Sequence, residues 1–319
     1  MKFSIFLPTL KRPDLLKQNI KALEGQARLP DEVLISLRED IDAESVAVVD
    51  DIIKLGTKLN IKKVLLTKPG IVVAENALLD AASGDVACLI DDDAIARPLW
   101  LKNLARHYEK DSSIGGVAGP PINIVNGEPE VKRAFFKNRV IYPGFILDQS
   151  TRHSKKIVAS DHFRGANMSL LIKPLRQQGG FESNLLGDCF RYELDACLGV
   201  AKQGYKLIFD PDVEVDHYEA PRMLNTNRFD PITIHNNAAN ETYVFMKHYG
   251  IIGKILHIPF ALIIGNFPAP GLLWGTMGSV LRLFWNNKYL LGIRATIPAC
   301  KGRITGVKRY FANKQASQE

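Results

Sequence analysis

Short apolar runs alternate with amphipathic stretches over the first hundred positions of the chain. Runs such as Val86–Ile90 are rich in aliphatic and β-branched residues, which is typical of buried strands. Between the runs, apolar residues such as Leu16, Ile20 and Leu23 recur at helical spacing. The pattern predicts strands over Phe3–Leu7, Asp31–Leu37, Lys63–Leu66 and Val86–Ile90, and helices after Pro13, around Val49, over Val72–Ala82 and after Pro98.

This alternation predicts an α/β fold with a mainly parallel sheet covered by helices on both faces. Ligands of such sheets bind beyond the carboxyl ends of the strands. Further along, the pattern is looser. It predicts a strand over Gly165–Ile172, a helix over Arg191–Gln203 and short strands over Tyr205–Phe209 and Val213–Val215.

Composition changes after about residue 240, so we predict two regions, residues 1–240 and residues 241–319. Residues 251–285 are rich in Ile, Leu, Phe, Gly and Trp, but Pro259, Pro268 and Pro270 argue against one straight helix. Apolar helices with a basic fringe suit the cytoplasmic face of a membrane, whereas a helical cap packed on the core is the alternative. The basic fringe consists of Lys288, Arg294, Lys301, Arg303, Lys308 and Arg309.

The net charge of +7 over 319 residues suits phosphate-bearing partners or an anionic membrane surface. The basic residues form no aromatic-interleaved stripe, so we expect no nucleic-acid partner. The four cysteines form no C-x-x-C pair, which indicates reduced thiols and no zinc site. The apolar run at the N-terminus is too short for a signal peptide, so we expect the protein on the cytoplasmic side.

An acidic triplet, Asp91-Asp92-Asp93, follows the predicted strand Val86–Ile90 directly. Three adjacent carboxylates repel one another, and a hard divalent cation such as Mg²⁺ or Mn²⁺ relieves that repulsion. Asp91 and Asp93 form a D-x-D pair that could hold the metal of a nucleotide diphosphate. The alternative for the triplet alone is a solvated acidic turn.

The triplet is one of several short segments that follow one another in a fixed order along residues 3–217. They are Leu7–Pro13, Gly70–Asn76 with Ala81–Asp85, Asp91–Asp93 with Pro98 and Trp100-Leu101, Gly165–Ser169, and Glu193–Asp195 with Gly204-Tyr205, Pro211 and His217. In this order the segments resemble those of family 2 glycosyltransferases. The resemblance implies the GT-A fold, in which a nucleotide-binding α/β sheet is joined to an acceptor-binding part.

The resemblance implies a metal site for Mn²⁺ or Mg²⁺ formed by Asp91, Asp93 and His217. Of the two aspartates, Asp93 is the stronger metal ligand candidate, and Asp91 would also contact the ribose or base. A histidine nitrogen suits Mn²⁺ better than Mg²⁺. On spacing alone, a surface histidine beside Asp216 is the better interpretation of His217, and the ligand role comes from the resemblance.

An inverting transfer, which the family implies, needs a general base on the acceptor hydroxyl. Glu193 is the first candidate, Asp195 the second and Asp188 a weaker third, and the alternative is a pair of solvated helix acids. Residues two apart on a helix do not share a face, so only one of them is expected to serve. Tyr192 stands where the family usually has a glutamate, which is a departure from its pattern.

The nucleotide-sugar site is predicted from residues at strand ends and beside the triplet. Arg38 replaces an acidic residue that many family members carry after the second strand, so it would stack on a base or pair with phosphate instead. The predicted nucleotide-sugar-binding residues are Pro8, Thr9, Arg12, Arg38, Asn76, Asp91 and Asp92. The predicted acceptor-binding residues are Arg164, Gly165 and Asn167.

Together these features predict an inverting, metal-dependent transferase acting on a nucleotide-sugar donor and a glycan or lipid-linked acceptor in cell-surface polysaccharide synthesis. A nucleotidyltransferase on the same fold is one alternative, but the turn after the first strand lacks the glycines of a phosphate loop. A non-enzymatic basic protein that binds membrane or nucleic acid is another, and it leaves the triplet unexplained.

Overall fold

A computed structural model describes residues 1–130, 138–148, 156–218, 230–284 and 292–316, with the backbone alone for residues 282–284. Lys288 of the predicted basic fringe lies outside the described residues. The strands are β1 (Phe3–Pro8), β2 (Glu32–Leu37), β3 (Ile61–Leu65), β4 (Val86–Leu89), β5 (Ala94–Ala96), β6 (Ile114–Ala118), β7 (Pro121–Val125), β8 (Glu128–Pro129), β9 (Arg139–Ile141), β10 (Phe145–Leu147), β11 (Val158–Ala159), β12 (Met168–Leu171), β13 (Lys206–Phe209), β14 (Val215–His217), β15 (Gly265–Asn266) and β16 (Ala269–Pro270).

The helices alternate with the strands in the first part of the chain and follow one another in the last part. They are α1 (Pro13–Glu24), α2 (Ala43–Leu55), α3 (Ile71–Ala81), α4 (Trp100–Lys110), α5 (Ile172–Gln177), α6 (Tyr192–Lys202), α7 (Pro231–His248), α8 (Ile251–Ile263), α9 (Leu272–Phe284) and α10 (Ile293–Ala316), with a short 3₁₀ turn over Gly165–Asn167.

The chain divides into two compact units, each of which is discontinuous in sequence. Unit 1 comprises residues 1–138, 148–181 and 196–221, and unit 2 comprises residues 139–147, 182–195 and 222–319. The boundary predicted at residue 240 falls inside α7. The position of a functional boundary between two domains stays a prediction.

An eight-stranded sheet forms the centre of unit 1, in the order β11-β13-β6-β12-β4-β1-β2-β3. Four of its seven strand pairs are parallel, among them β4-β1, β1-β2 and β2-β3. The apolar residues of β1, β2 and β4 are buried, and α1 and α4 pack Leu16, Ile20, Trp100 and Leu104 into the same core. This confirms the α/β fold with its largely parallel sheet.

The predicted strands and helices around the triplet agree with the structure to within two residues. The strand predicted over Gly165–Ile172 is wrong at its start, where Gly165–Asn167 form a 3₁₀ turn. The buried Asn167 side chain explains the turn, because its amide bonds away from the strand ladder, to Trp100 and to the carbonyl of Val213. The strand predicted over Val213–Val215 begins and ends two residues later.

A second sheet of unit 1 has the order β5-β14-β7-β8. Strand β14 pairs antiparallel with β5 and parallel with β7. Its last residue, His217, lies opposite Ala94 on one side and Asn123 on the other. Since Ala94 directly follows the triplet, this register places His217 next to the turn at the end of β4.

Unit 2 is largely helical, and α10 packs along α7. Gly302 and Gly306 allow this close approach, because a Cβ at either would lie 2.2 or 2.4 Å from the carbonyl oxygens of His235 and Ala239. The chain between α8 and α9 forms a small hairpin of β15 and β16 that contains Pro268 and Pro270. The prediction that prolines interrupt this apolar stretch is therefore confirmed for Pro268 and Pro270, whereas Pro259 lies inside α8 and does not end it. Among the described helices, none combines the length and apolar character needed to cross a bilayer.

Candidate active site

The acidic triplet occupies a tight turn between β4 and β5. The amide of Ala94 donates to the carbonyl of Asp91 at 3.0 Å, which closes the turn. Asn19 of α1, fully buried, donates from Nδ2 to the carbonyls of Asp91 and Ala94 at 3.1 and 2.8 Å. The turn lies beyond the carboxyl end of β4, beside the end of the parallel neighbour β1, where α/β sheets bind their ligands.

Asp91, Asp93 and His217 converge at this turn, and one ligand atom from each lies within 4.8 Å of the other two. His217 Nε2 lies 3.4 Å from Asp93 Oδ1. The backbone amide of Tyr218 also donates to the carbonyl of Asp93 at 2.8 Å, which fixes the histidine strand against the turn. The three residues predicted as metal ligands are thus brought together.

Asn123 of β7 decides which nitrogen of His217 faces the carboxylates. Asn123 Oδ1 is an acceptor, so His217 Nδ1, 3.1 Å away, carries the donated hydrogen. In the neutral ring Nε2 then presents its lone pair to Asp93. A separation of 3.4 Å is long for a charge-assisted hydrogen bond, but it suits two ligands that each lie about 2.1 Å from one metal ion. Two carboxylates and one imidazole therefore fit a divalent cation at this position.

Asp92 points away from that cluster and is held by Thr9 and Arg12. Thr9 Oγ1 donates to Asp92 Oδ2 at 2.9 Å, and Arg12 Nη1 lies 2.6 Å from Asp92 Oδ1 and 3.4 Å from Asp93 Oδ2. Burial raises the pKa of Asp92, and the Arg12 charge acts against that rise. Thr9 and Arg12, predicted as nucleotide-binding residues, brace the triplet, while Pro8 ends β1 beside them.

Arg38 and Asn76 lie elsewhere in unit 1 and have partners of their own. Arg38, just after β2, forms a bidentate ion pair with Asp40, in which Nε and Nη2 donate to the two carboxylate oxygens at 2.8 and 2.6 Å. That ion pair lowers the pKa of Asp40. The Asn76 amide bonds to both the amide and the carbonyl of Phe181 at 2.8 Å, so it holds the chain near Gly180. Their contacts with a nucleotide stay predictions.

Of the predicted acceptor-binding residues, Gly165 and Asn167 lie in the 3₁₀ turn and Arg164 directly precedes it. Asn167 is buried and receives a hydrogen bond from Trp100 Nε1 at 2.8 Å while donating to the carbonyl of Val213 at 2.7 Å. Gly165 is also buried, whereas Arg164 is half-exposed and pairs with Asp148 at 3.1 Å. Asn167 therefore ties α4 to the segment before β14, and a role in acceptor binding stays a prediction for all three.

Glu193 and Asp195, the first two base candidates, both lie in the first turn of α6 and in unit 2, but they differ in burial. Asp195 is fully buried, and its oxygens accept from Lys247 Nζ at 2.9 Å and lie 2.8 Å from His248 Nε2. Burial alone would raise its pKa, but the bond to His248 and the charge of Lys247 lower it. Glu193 is only partly buried. A base must reach a substrate hydroxyl, so this contrast favours Glu193.

Asn19 and Asn123 are site residues that the sequence did not indicate. Asn19 lies in a helix whose apolar spacing hides its role, and Asn123 lies in a strand that the apolar pattern did not predict clearly. A polar residue at a position that the helical pattern marks as buried was the one available signal for Asn19.

Residues 4–173, just over half of the chain, match the model of glycosyl transferase family 2. The chain belongs to this family. Family 2 membership makes the protein a glycosyltransferase and decides against the nucleotidyltransferase and non-enzymatic alternatives.

A family 2 relative from Haloferax volcanii, a glucosyl-dolichyl phosphate glucuronosyltransferase, is 23% identical over 230 residues, which cover 68% of this chain and 69% of the relative. Two solved structures share the GT-A fold. A mannosyltransferase from Pyrobaculum calidifontis, in complex with GDP-Man and Mn²⁺, is 17% identical and superposes with a TM-score of 0.57. The match covers 98% of this chain and 88% of the mannosyltransferase chain. TarS 1–349 of S. aureus with UDP-GlcNAc is 13% identical with a TM-score of 0.54, covering 100% and 92%.

Proposed function

We propose that this family 2 glycosyltransferase is an inverting, metal-dependent enzyme. It would move a sugar from a nucleotide-sugar donor to a glycan or lipid-linked acceptor in cell-surface polysaccharide synthesis, at the cytoplasmic face of the membrane. The observation that carries the proposal is the convergence of Asp91, Asp93 and His217 at the carboxyl end of β4. The nucleotide-sugar and Mn²⁺ ligands of the Pyrobaculum protein support it.

The proposed division of labour follows from the contacts of the residues. Asp91, Asp93 and the Nε2 atom of His217 would hold Mn²⁺ or Mg²⁺. When bound, the cation would neutralise the diphosphate leaving group. Asn123 keeps the His217 ring in the ligating tautomer. Thr9 and Arg12 fix Asp92, and Arg12 also contacts Asp93 Oδ2, while Asp93 Oδ1 faces His217.

Glu193 would accept the proton of the acceptor hydroxyl as that oxygen attacks the anomeric carbon of the donor sugar. The nucleoside diphosphate leaves from the opposite face, which inverts the configuration. Its partial exposure supports this role over Asp195, which is fully buried. A lipid-linked acceptor is supported by the dolichyl phosphate in the name of the Haloferax relative.

The test is a panel of sugar nucleotides incubated with the protein with and without Mn²⁺, with nucleoside diphosphate release as the readout. We expect release that needs the metal and is lost in Asp93→Ala. The matched control is Asp216→Asn, because Asp216 neighbours His217 but bonds Arg97 at 2.9 Å instead of the cluster. Metal-independent release, or equal loss in the control, would contradict the proposal.

A further inference from the structure

The net positive charge of the chain arises in its C-terminal segment, which has basic residues at ordinary density but no acidic ones. Residues 242–318 contain ten of the 41 Lys and Arg residues and none of the 34 Asp and Glu residues. After Glu241, the next acidic residue is Glu319. The rest of the chain therefore carries no positive excess, and α8, α9 and α10 lie in the segment that attracts anionic surfaces.

Apart from the buried His257, the buried residues of helix α8 are small, as is Gly275 of α9, and many of the large aliphatic residues of both helices are exposed. Gly253 and Ala261 of α8 and Gly275 of α9 are buried, and a Cβ at Gly275 would lie 2.1 Å from Thr296 Oγ1. Small residues inward and large aliphatic residues outward is the pattern of helices that face lipid. The outward residues, here named the apolar face, are Ile251, Ile252, Ile255, Leu256, Ile263, Leu272, Leu273, Trp274, Met277 and Val280.

Helix α10 carries a second feature, a stripe that mixes apolar and basic residues. Its inner side packs on α7. On its outer side, exposed residues recur at spacings of four and three, so they share one helix face. This outer stripe consists of Ile297, Lys301, Ile304, Lys308 and Phe311. Lysines between apolar residues can bury their methylene stems while the ammonium groups reach lipid headgroups.

We propose that the apolar face and the outer stripe form a docking surface for an anionic phospholipid bilayer. Ile255 and Leu273 are 67% and 59% exposed, and clustering of exposed large apolar residues on neighbouring helices is typical of an interaction site. A second copy of the chain is a poorer partner, because two segments that each carry only positive charge repel each other. The inference rests on the proposed function for its purpose, since a lipid-linked acceptor lies in the same bilayer.

The experiment is co-sedimentation of the full chain with vesicles of mixed phosphatidylglycerol and phosphatidylcholine, and with phosphatidylcholine vesicles alone. We expect binding to the mixed vesicles that weakens with added salt. Lys301→Glu with Lys308→Glu should weaken it about thirtyfold or more, as expected for removing two basic residues from an anionic surface. Ile255→Ser with Leu273→Ser should weaken it at least about tenfold by removing buried aliphatic groups.

Matched controls come from exposed residues of unit 1. The charge control is Lys54→Glu with Lys58→Glu, and the apolar control is Leu55→Ser, at a residue that is 86% exposed. Both make the same chemical changes away from the docking surface, so both variants should bind the vesicles as the parent does. Circular dichroism checks that every variant is folded. The proposal is overturned if the parent does not bind the mixed vesicles, or if the controls lose binding equally. It is also overturned if light scattering shows a dimer that the apolar-face variant dissociates.

Nucleoside diphosphate release is measured on the same samples without vesicles. Vesicle binding without release would refute the transferase proposal and leave the docking surface standing. Release without vesicle binding would refute the docking surface alone.

Discussion

The Nε2 atom of His217 lies 3.4 Å from Oδ1 of Asp93, although β4 and β14 are far apart in sequence and belong to different sheets. The register of β14 against β5 creates this relationship, because it sets His217 opposite the residue that follows the triplet. At this separation, His217 can act as the third ligand beside the predicted D-x-D pair of Asp91 and Asp93. It gives the metal site a geometry that can be tested one residue at a time.

Replacing His217 with Ala should weaken Mn²⁺ binding by about a hundredfold or more, since a direct ligand matters at least as much as its outer-shell partners. Isothermal titration of the protein with MnCl₂ measures the effect. The backbone pairing of β14 does not use the ring, so the melting temperature without metal should change little. Unchanged Mn²⁺ affinity would show that the histidine is not a ligand.

Asn123 should matter through the ring that it orients. Asn123→Ala removes the acceptor for His217 Nδ1, and we expect Mn²⁺ affinity to fall by about 10- to 100-fold. Asn123→Asp keeps an acceptor at the same place and should retain affinity close to the parent value. Equal losses in the two variants would mean that the asparagine acts through packing and not through the tautomer.

Arg12 is predicted to stabilise the turn even without a ligand. Arg12→Gln leaves the buried carboxylate of Asp92 without its cation, with Thr9 as its remaining neutral donor. The free energy of unfolding in urea should fall by about 1–3 kcal/mol. Lys17→Gln, an exposed change on helix α1, which directly follows Arg12, is the control and should stay within about 0.5 kcal/mol of the parent.

The central sheet was predictable because its apolar runs and helix periodicities are local signals, and β1, β2 and β4 agree closely with them. The D-x-D pair was predictable because three carboxylates after a buried strand are chemically unusual. The partnership of His217 with Asn123 was not, since strand register between distant segments leaves no mark in local sequence. Likewise, the ion pairs of Asp195 with Lys247 and His248 join positions 52 and 53 residues apart, which no local pattern indicates.

Glu32 should make the stability of unit 1 depend on acid pH. Burial alone would raise its pKa, but hydrogen bonds from Lys62, Ser4 and Ser83 outweigh burial and lower it from 4.5 to about 2. A carboxyl group whose pKa is lower in the folded than in the unfolded state stabilises the fold at any pH above the unfolded-state pKa. This contribution is lost as the pH falls from about 4.5 to about 2.

Between pH 7 and pH 3 the parent should therefore lose about 2 kcal/mol more than Glu32→Gln, in which this carboxyl cannot titrate. Urea unfolding of both proteins at the two pH values measures the difference. Parallel losses in the two proteins would show that other groups carry the acid sensitivity.

Glu193 and Asp195 should separate cleanly into a residue needed for turnover and a residue needed for stability. Glu193→Gln removes the proposed base and should lower kcat by about 10²- to 10⁴-fold with little change in melting temperature or in Mn²⁺ affinity. Asp195→Asn leaves Lys247 and His248 facing a neutral amide in a buried position. The free energy of unfolding should fall by about 3 kcal/mol.

The assays are sugar transfer to acceptor at saturating donor, and urea unfolding, applied to both variants. Glu182→Gln serves as the control for charge removal, because Glu182 also binds Lys247, at 2.8 Å, but is not a base candidate. It should lose some stability and keep kcat per folded molecule. If Asp195→Asn retained full stability and lost turnover while Glu193→Gln stayed active, the two assignments would be exchanged, and the base would be a buried carboxylate released from its ion pairs on substrate binding.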